Sequence, residues 1–254
     1  MKLRLWVMPL VWLAAACAVA EPSPGASPAS TGETGPEPAV STEDPFREAR
    51  ERMVEDGIVG WGIRDLAIVE VMGEVARHEF VPREYLDQAY ENHPLPIGYG
   101  QTISQPYIVA LMTEALDFRA GDKILEIGTG SGYQAAVLAT LGAEVYTIEI
   151  IPELAREADE RLDRLGYEAI HTRTGDGYFG WPEAAPFDGI LVTAAPDHVP
   201  QPLLEQLAEG GVMVIPVGPV GGYQELWKIT LRTGDQYVSE SLGPVRFVPL
   251  TGEH

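Results

Sequence analysis

The sequence predicts an α/β protein with a doubly wound, mostly parallel sheet, a helical N-terminal cap and antiparallel strands at the C-terminal edge. Two observations predict this class. Beyond residue 120, short apolar runs alternate with stretches of helical spacing, which is typical of parallel sheets with right-handed crossovers. The 254 residues are also 45% apolar and 22% charged, enough apolar material for a core of ordinary size.

The charge balance disfavours nucleic acid as a partner. Lys and Arg number 17 against 38 Asp and Glu, which gives a formal charge of −21, whereas proteins that bind phosphate backbones are basic. The five histidines show no metal-ligand spacing, so we predict no metal site.

The first 20 residues have the pattern of an export signal peptide. Lys2 and Arg4 precede an uncharged run from Leu5 to Ala20, and Ala18-Val19-Ala20 fits a cleavage site. The uncharged run is shorter than the roughly 20 residues that span a bilayer. A plain N-terminal membrane anchor is the alternative interpretation.

Cys17, the only cysteine, leaves a second alternative open. It follows Leu13-Ala14-Ala15-Ala16, which resembles a bacterial lipoprotein cleavage box, although the branched residue stands four rather than three positions before the cysteine. Cys17 is therefore a candidate for lipidation. Cleavage after Ala20 would leave the mature protein without cysteine, and hence without disulfide or thiolate chemistry.

Residues 21–45 are predicted to form a disordered linker. They contain six Pro and five acidic residues but no Lys, Arg or aromatic residue, so they cannot bury enough apolar surface to offset the entropy of ordering. Residues 46–254 carry a formal charge of −18, and their length suits one domain.

The cap and the sheet follow from the apolar spacing. From Phe46 to Tyr90 apolar residues recur at helical intervals, and Asp65 stands where a helix N-cap belongs. A loop from Asn92 to Pro106 leads to a second amphipathic stretch from Ile108 to Leu116. The alternating part then has predicted strands at 123–127, 144–148, 187–193 and 212–217, helices at 133–141, 152–165 and 201–208, and late antiparallel strands at 225–231 and 237–249.

A glycine-rich turn between the first strand and its helix indicates a nucleotide-like cofactor. The run is Glu126-Ile127-Gly128-Thr129-Gly130-Ser131-Gly132, and glycines let the backbone approach a ligand at the switch point of a doubly wound sheet. NAD is disfavoured because Tyr133 takes the sixth position of the dinucleotide fingerprint, and a P-loop is excluded because no Gly-Lys-Ser/Thr follows. A tight turn without a cofactor is the alternative.

Two acidic residues follow the next two strands. Glu149, 17 residues past Gly132, could accept hydrogen bonds from both ribose hydroxyls of an adenosyl group. Asp176, in Gly175-Asp176-Gly177, could accept from an adenine amino group. An ordinary Asp-Gly turn explains Asp176 equally well.

Four further segments carry a family resemblance. They are 94–106, which contains Gly-Gln-Thr-Ile-Ser-Gln-Pro, together with 80–83, 192–196 and 247–251. With them, the chain from Met53 to Thr251 closely resembles the protein-L-isoaspartate (D-aspartate) O-methyltransferase family. The glycine run resembles the first motif of class I S-adenosylmethionine-dependent methyltransferases, which implies a Rossmann-like methyltransferase sheet.

The resemblance implies a reaction and its partners. A methyl group would pass from S-adenosyl-L-methionine to the α-carboxylate of L-isoaspartyl residues, leaving S-adenosyl-L-homocysteine and starting repair of damaged proteins through a succinimide. We expect a monomer. The alternatives are another carboxyl or small-molecule methyltransferase, or a non-catalytic module that binds S-adenosylmethionine.

The resemblance also implies site residues. Ser104 is the candidate catalytic residue, which would hydrogen-bond and aim the carboxylate rather than attack as a nucleophile. The candidate cofactor-binding residues are Thr102, Ile103, Ser104, Glu126, Gly128, Gly130, Ser131, Gly132, Glu149, Asp176, Gly177 and Thr251. The candidate substrate-binding residues are Ile103, Val192, Thr193, Ala194, Ala195 and Val248.

The N-terminal signal departs from the family pattern. Typical members are cytosolic, where S-adenosylmethionine is made, whereas the signal predicts export, to the periplasm or to a lipid anchor at Cys17. A cytoplasmic protein whose true start lies downstream of Met1 is the alternative.

Overall fold

The computed structural model describes residues 44–219, 221–234 and 236–253. The predicted signal, with Cys17, and all of the predicted linker except Asp44 and Pro45 lie outside the described residues. Within them, none of the helices is both long and apolar enough to cross a membrane.

A helical cap precedes the sheet, as predicted. Helix α1 (Arg47–Arg52) continues into a π-helical turn, and α2 (Leu66–Glu74) begins at its N-cap Asp65, whose Oδ1 accepts from the amides of Ala67 and Ile68 at 2.8 and 3.3 Å. Two 3-10 turns follow at Arg77–Phe80 and Arg83–Gln88. The remaining α-helices in the described ranges are α3 (Pro106–Leu116), α4 (Tyr133–Thr140), α5 (Pro152–Arg164) and α6 (Gln201–Leu204), and a third 3-10 turn spans Gly177–Phe179.

The described strands form a hairpin and a seven-stranded sheet. The hairpin consists of β1 (Leu95–Gly98) and β2 (Gln101–Ile103), and the sheet consists of β3 (Lys123–Ile127), β4 (Glu144–Glu149), β5 (His171–Thr174), β6 (Phe187–Val192), β7 (Leu207–Val217), β8 (Gln224–Arg232) and β9 (Gln236–Val245). Their order in the sheet is β5-β4-β3-β6-β7-β8-β9. Strands β3 to β7 are parallel, and β8 and β9 are antiparallel additions. The predicted fold class is confirmed.

The strand order places a crevice at the end of β3. The chain winds from β3 through β4 to β5 in one direction and returns to the other side of β3 at β6. In doubly wound sheets, ligands bind outside the carboxyl ends of the strands where the winding direction reverses. The core of β3 and β6 is buried, which fixes those strand ends on a rigid frame.

The structure differs from the sequence prediction in one loop, at the end of one helix and at the end of one strand. The predicted loop 92–106 contains the β1–β2 hairpin, in which Leu95, Ile97 and Ile103 are buried. The predicted helix 201–208 ends at Leu204, because β7 already begins at Leu207. The last predicted strand, 237–249, ends at Val245.

The residues after β9 form a segment that we term the C-terminal strap (residues 247–251). The amide of Ala195 donates to the Val248 carbonyl at 2.8 Å, and the amide of Leu250 donates to the Ala195 carbonyl at 2.9 Å. The buried side chain of Gln224 holds both backbone groups of Phe247, at 2.8 and 3.3 Å. The strap is therefore fixed beside the end of β6.

The outer strands of this sheet are irregular or short. Strand β5 has four residues. Strand β9 contains Pro244, and its pairing with β8 shifts register between Leu226 and Trp227.

Candidate functional site

Two adjoining cavities open at the carboxyl end of β3. The first cavity, with about 540 Å³ of empty space including the open solvent at its mouth, lies between the strap, the end of β4 and the hairpin. The second cavity, of about 330 Å³, lies between the Ser104 segment and the start of α4. Both are lined by Thr102, Gly128, Gly130 and Thr193, so they form one continuous site.

The glycine loop between β3 and α4 fits closely against the end of β6. Gly128 has φ +97°, and a Cβ there would lie 2.4 Å from the Thr193 Oγ1. That hydroxyl lies 2.9 and 2.8 Å from the carbonyl oxygens of Ile127 and Gly128. A side chain at position 128 would therefore both strain the backbone and displace Thr193.

Helix α5 supports the same loop from its other side. The Arg161 guanidinium donates to the Ser131 carbonyl at 2.9 Å, and Leu162 packs against Gly132 so closely that a Cβ there would lie 3.2 Å from its Cγ. Gly132 itself serves as the N-cap of α4 in a left-handed conformation. Helix α5 also contacts the hairpin, because the Tyr99 hydroxyl at the hairpin tip donates to Glu157 at 3.4 Å.

Glu149 ends β4 and turns its carboxylate toward the glycine loop. Its Oε2 accepts from the Gly130 amide at 2.8 Å, and its Oε1 accepts from the Ile151 amide at 3.0 Å. The side chain is nearly buried and lines the first cavity. Each carboxylate oxygen can accept a second hydrogen bond, so Glu149 is still able to receive ribose hydroxyls.

Glu126 is a buried acid with one oxygen free of hydrogen bonds. Its Oε2 accepts from the Thr147 hydroxyl at 2.5 Å, whereas Oε1 is buried and has no hydrogen-bond partner among the described residues. Burial raises the pKa of Glu126 to about 8, the Thr147 hydrogen bond opposes this rise, and the nearby Glu149 adds to it. Glu126 lines the second cavity, where a ligand cation would satisfy the free oxygen.

Asp176 lies at the edge of the site. Its Oδ1 accepts from the Tyr178 amide at 3.0 Å and its Oδ2 from the Glu253 amide at 3.1 Å. Its neighbour Gly177 lines the first cavity, and a Cβ at Gly177 would lie 2.4 Å from the Ile127 Cγ2. Asp176 thus both forms an Asp-Gly turn and lies beside a residue of the first cavity.

Ser104 lines the second cavity, opposite the glycine loop. Its carbonyl accepts from the Arg77 guanidinium at 2.8 Å, which ties this segment to the helical cap. Ser104 and Glu126, which are 22 residues apart in the chain, thus face one cavity.

Most of the predicted site residues line the two cavities. The first cavity brings together Thr102, Gly128, Gly130, Glu149, Gly177, Thr193, Ala194, Val248 and Thr251, and the second adds Ile103, Ser104, Glu126 and Ser131. Four predicted residues line neither cavity. Gly132 caps α4, Asp176 lies behind Gly177, Val192 is fully buried in β6, and Ala195 is paired with the strap.

Sequence reasoning missed several residues of the site. Gln101 of the hairpin and Ile151 after β4 line the first cavity, and Gln134 of α4 lines the second. Gln101 lies inside the segment that carries the family resemblance, next to the predicted site residue Thr102, so this position in the sequence could have identified it as a site residue. In the part of the chain that the structure describes, no group of three or more His, Cys, Asp or Glu could hold a metal ion.

The glycine loop, the strand-end acids and the cavity fit a nucleotide-like cofactor on structural grounds. Gly128 and Gly177 are positions where a side chain would collide with the wall, and Glu126 presents an unsatisfied buried oxygen. Glu126, the glycine loop, Glu149 and Gly177 are the residues that could hold such a group.

Comparisons with known proteins agree with this site. A family model described as protein-L-isoaspartate(D-aspartate) O-methyltransferase matches residues 49–254. The protein-L-isoaspartate O-methyltransferase of Picosynechococcus sp. is 55% identical over 209 residues, covering 82% of this chain and 93% of the relative.

Solved structures show the same fold. A structure of a protein-L-isoaspartate O-methyltransferase has a TM-score of 0.73 at 31% identity and covers 80% of this chain and 66% of that chain. A Plasmodium falciparum protein, solved in complex with S-adenosyl-L-homocysteine, has a TM-score of 0.69 at 24% identity and covers 82% of this chain and 99% of that chain. This second likeness concerns the fold alone.

The family match includes every strand of the sheet and all residues of both cavities. The alignment of this chain with the Picosynechococcus relative extends over nearly the whole of that protein. The chain therefore belongs to the protein-L-isoaspartate(D-aspartate) O-methyltransferase family.

Proposed function

We propose that this protein methylates the free α-carboxylate of L-isoaspartyl residues in damaged proteins, with S-adenosyl-L-methionine as cofactor. The backbone amide nitrogen that follows attacks the methyl ester and expels methanol, which closes a succinimide ring, and hydrolysis of this ring converts part of the damaged residues to normal aspartate. One observation carries the proposal. The Ser104 segment, which resembles the family's substrate loop, lines the same cavity as the glycine loop and Glu126.

The residues that would hold the cofactor differ in their chemistry. The free Oε1 of Glu126 suits an ammonium group, and the carboxylate of Glu149 suits a pair of hydroxyls. Gly128 and Gly177 let the backbone pack closely against Thr193 and Ile127 at the wall of the first cavity, where a Cβ would collide. When bound, S-adenosyl-L-methionine supplies a methyl group activated by a positively charged sulfur.

The protein's own task is positioning. A free α-carboxyl group has an ordinary pKa of about 3.5, so it is ionised near neutral pH and needs no general base. Ser104 would donate a hydrogen bond to one carboxylate oxygen and so fix the direction of the other. Alignment of this kind supplies much of the rate in a displacement between two bound groups.

The strap and the hairpin would limit the access of water. Thr102 and Gln101 line one side of the first cavity, and Val248 and Thr251 line another. Ala194, next to the strap, would flank an extended substrate peptide. We also propose that Asp176 supports the adenine side of the site through Gly177.

The substrate class is tested with a matched pair of peptides. The full chain should transfer labelled methyl from S-adenosyl-L-methionine to an isoaspartyl peptide, and not to the same peptide with a normal aspartyl residue. Equal labelling of both peptides would favour another carboxyl methyltransferase. Cofactor binding without labelling of either would favour a non-catalytic binding module.

We further propose that the protein is exported, with residues 1–20 as a signal peptide, residues 21–45 as a linker and residues 46–254 as a monomeric methyltransferase domain. The supporting observation is the basic start followed by an uncharged run that is short for a bilayer span. Mass measurement of the native protein separates cleavage after Ala20, lipidation at Cys17 and the unprocessed chain of a cytoplasmic protein. Light scattering tests the monomer.

A further inference from the structure

Arg77 is a fully buried cation that holds the Ser104 segment. Its Nε donates to the Ala89 carbonyl at 2.9 Å, and its Nη2 donates to the Ser104 carbonyl at 2.8 Å. The guanidinium carbon lies 4.9 Å from the centre of the Tyr133 ring. One side chain thus connects the helical cap, the Ser104 segment and the start of α4.

The positive charge of Arg77 has no anionic partner among the residues that the structure describes. No carboxylate in the described ranges forms an ion pair with it, and its Nη1 has no hydrogen-bond partner. Burial lowers the pKa of Arg77 to about 10, so the group is still protonated at neutral pH. Burying an uncompensated charge costs free energy of folding, so stability alone does not account for an arginine here.

The place of the charge suggests what it does. Ser104 and Tyr133 both contact Arg77 and both line the second cavity, so the guanidinium lies directly behind that wall. The chain as a whole has a formal charge of −21, which opposes the approach of an anion. A fixed cation buried behind this wall acts through a low dielectric, which strengthens its attraction for an anion and offsets this repulsion locally.

We infer that Arg77 is a positioning residue for the substrate carboxylate: it fixes the Ser104 segment through the Ser104 carbonyl, and its unpaired charge attracts the anionic group to the second cavity. This inference rests on the proposed function, because it concerns the carboxylate that is methylated. It assigns two separable effects to one side chain. The planar guanidinium, through its hydrogen bonds, sets the geometry of the Ser104 segment, and its charge sets the preference of the second cavity for an anion.

Binding measurements separate the charge effect from a merely structural one. The probes are an isoaspartyl peptide and its twin with a carboxamide in place of the free α-carboxylate, each titrated in the presence of saturating S-adenosyl-L-homocysteine. The wild-type protein should prefer the carboxylate by about tenfold or more. Arg77→Met should bind the carboxamide twin as before and lose most of this preference, with little change in cofactor affinity.

Arg77→Lys keeps the positive charge but loses the planar guanidinium that bonds two carbonyl groups at once. It should keep the preference for the carboxylate while its kcat falls, because the Ser104 segment is held less rigidly. Arg164→Met, which removes an exposed arginine paired with Glu79, is the matched control and should change neither quantity.

Three results would overturn the inference: equal affinity of the wild type for both twins, an unchanged preference in Arg77→Met, or an unchanged kcat in Arg77→Lys. The first of these needs no variant, so the test stands even where Arg77→Met does not fold. If the wild type labels no isoaspartyl peptide, the proposed function fails instead.

Discussion

Replacing Glu126 with glutamine should change how the stability of the protein depends on pH. Glu126 is fully buried and has no cationic partner within the described part of the chain, and burial raises its pKa from 4.5 to about 8. In the unfolded chain the carboxyl group ionises near its ordinary pKa. Folding therefore takes up a proton between these two pKa values, and the free energy of unfolding falls as pH rises through this interval.

The pKa interval sets the size of the effect. One pKa unit corresponds to about 1.4 kcal/mol, so the rise from 4.5 to about 8 gives a ceiling of roughly 5 kcal/mol. Glutamine at position 126 has no charge to bury. The stability of Glu126→Gln minus that of the wild type should thus increase by a few kcal/mol from pH 5 to pH 8 and then level off.

Urea unfolding at pH 5, 7 and 9, without cofactor, measures this difference. The glutamine oxygen can keep the hydrogen bond from Thr147. The free-energy cost of burying the amide nitrogen is the same at each pH, because that group does not titrate. Glu84→Gln, a substitution at an exposed position, is the control and should show no such trend. A difference between Glu126→Gln and the wild type that stays constant from pH 5 to pH 9 would mean that folding does not raise the pKa of Glu126.

Three further substitutions test the rest of the site. Gly128→Ala should lower cofactor affinity, seen by calorimetry, and lower stability by about 1–3 kcal/mol, because φ is +97° and the new Cβ meets Thr193 at 2.4 Å; normal affinity would show that the glycine loop does not shape the cofactor site. Ser104→Ala should reduce kcat more than cofactor affinity, and the reverse result would remove Ser104 from carboxylate positioning. Gln224→Ala frees both backbone groups of Phe247, so thermal unfolding should show a loss of about 1–3 kcal/mol; an unchanged Tm would mean that the strap is held otherwise.

Local patterns predicted the parallel core because its strands are short apolar runs between helices. Strand β3 has the predicted bounds, and Asp65 caps α2 as expected. The hairpin at Leu95–Ile103 was missed because its prolines and glycines are typical of loops, whereas pairing of β1 with β2 and burial of Ile97 depend on the rest of the fold.

In the candidate site, too, features set by the local sequence were predictable and features set by long-range contacts were not. Gly128 and Glu149 were predictable because motif spacing and strand ends are properties of the local sequence. The role of Arg77 was not predictable, because its two carbonyl partners lie 12 and 27 residues away. An arginine is also a residue type that sequence reasoning assigns to the surface.

The outer strands of the sheet bear on how the protein avoids aggregation. An exposed strand edge is a template for pairing with another extended chain, and short strands, prolines and bulges are the features that prevent it. Strand β5 is only four residues long, and β9 combines Pro244 with the shifted register near Trp227. The short β5 and the interrupted β9 therefore give a partly unfolded substrate protein little regular strand edge with which to pair.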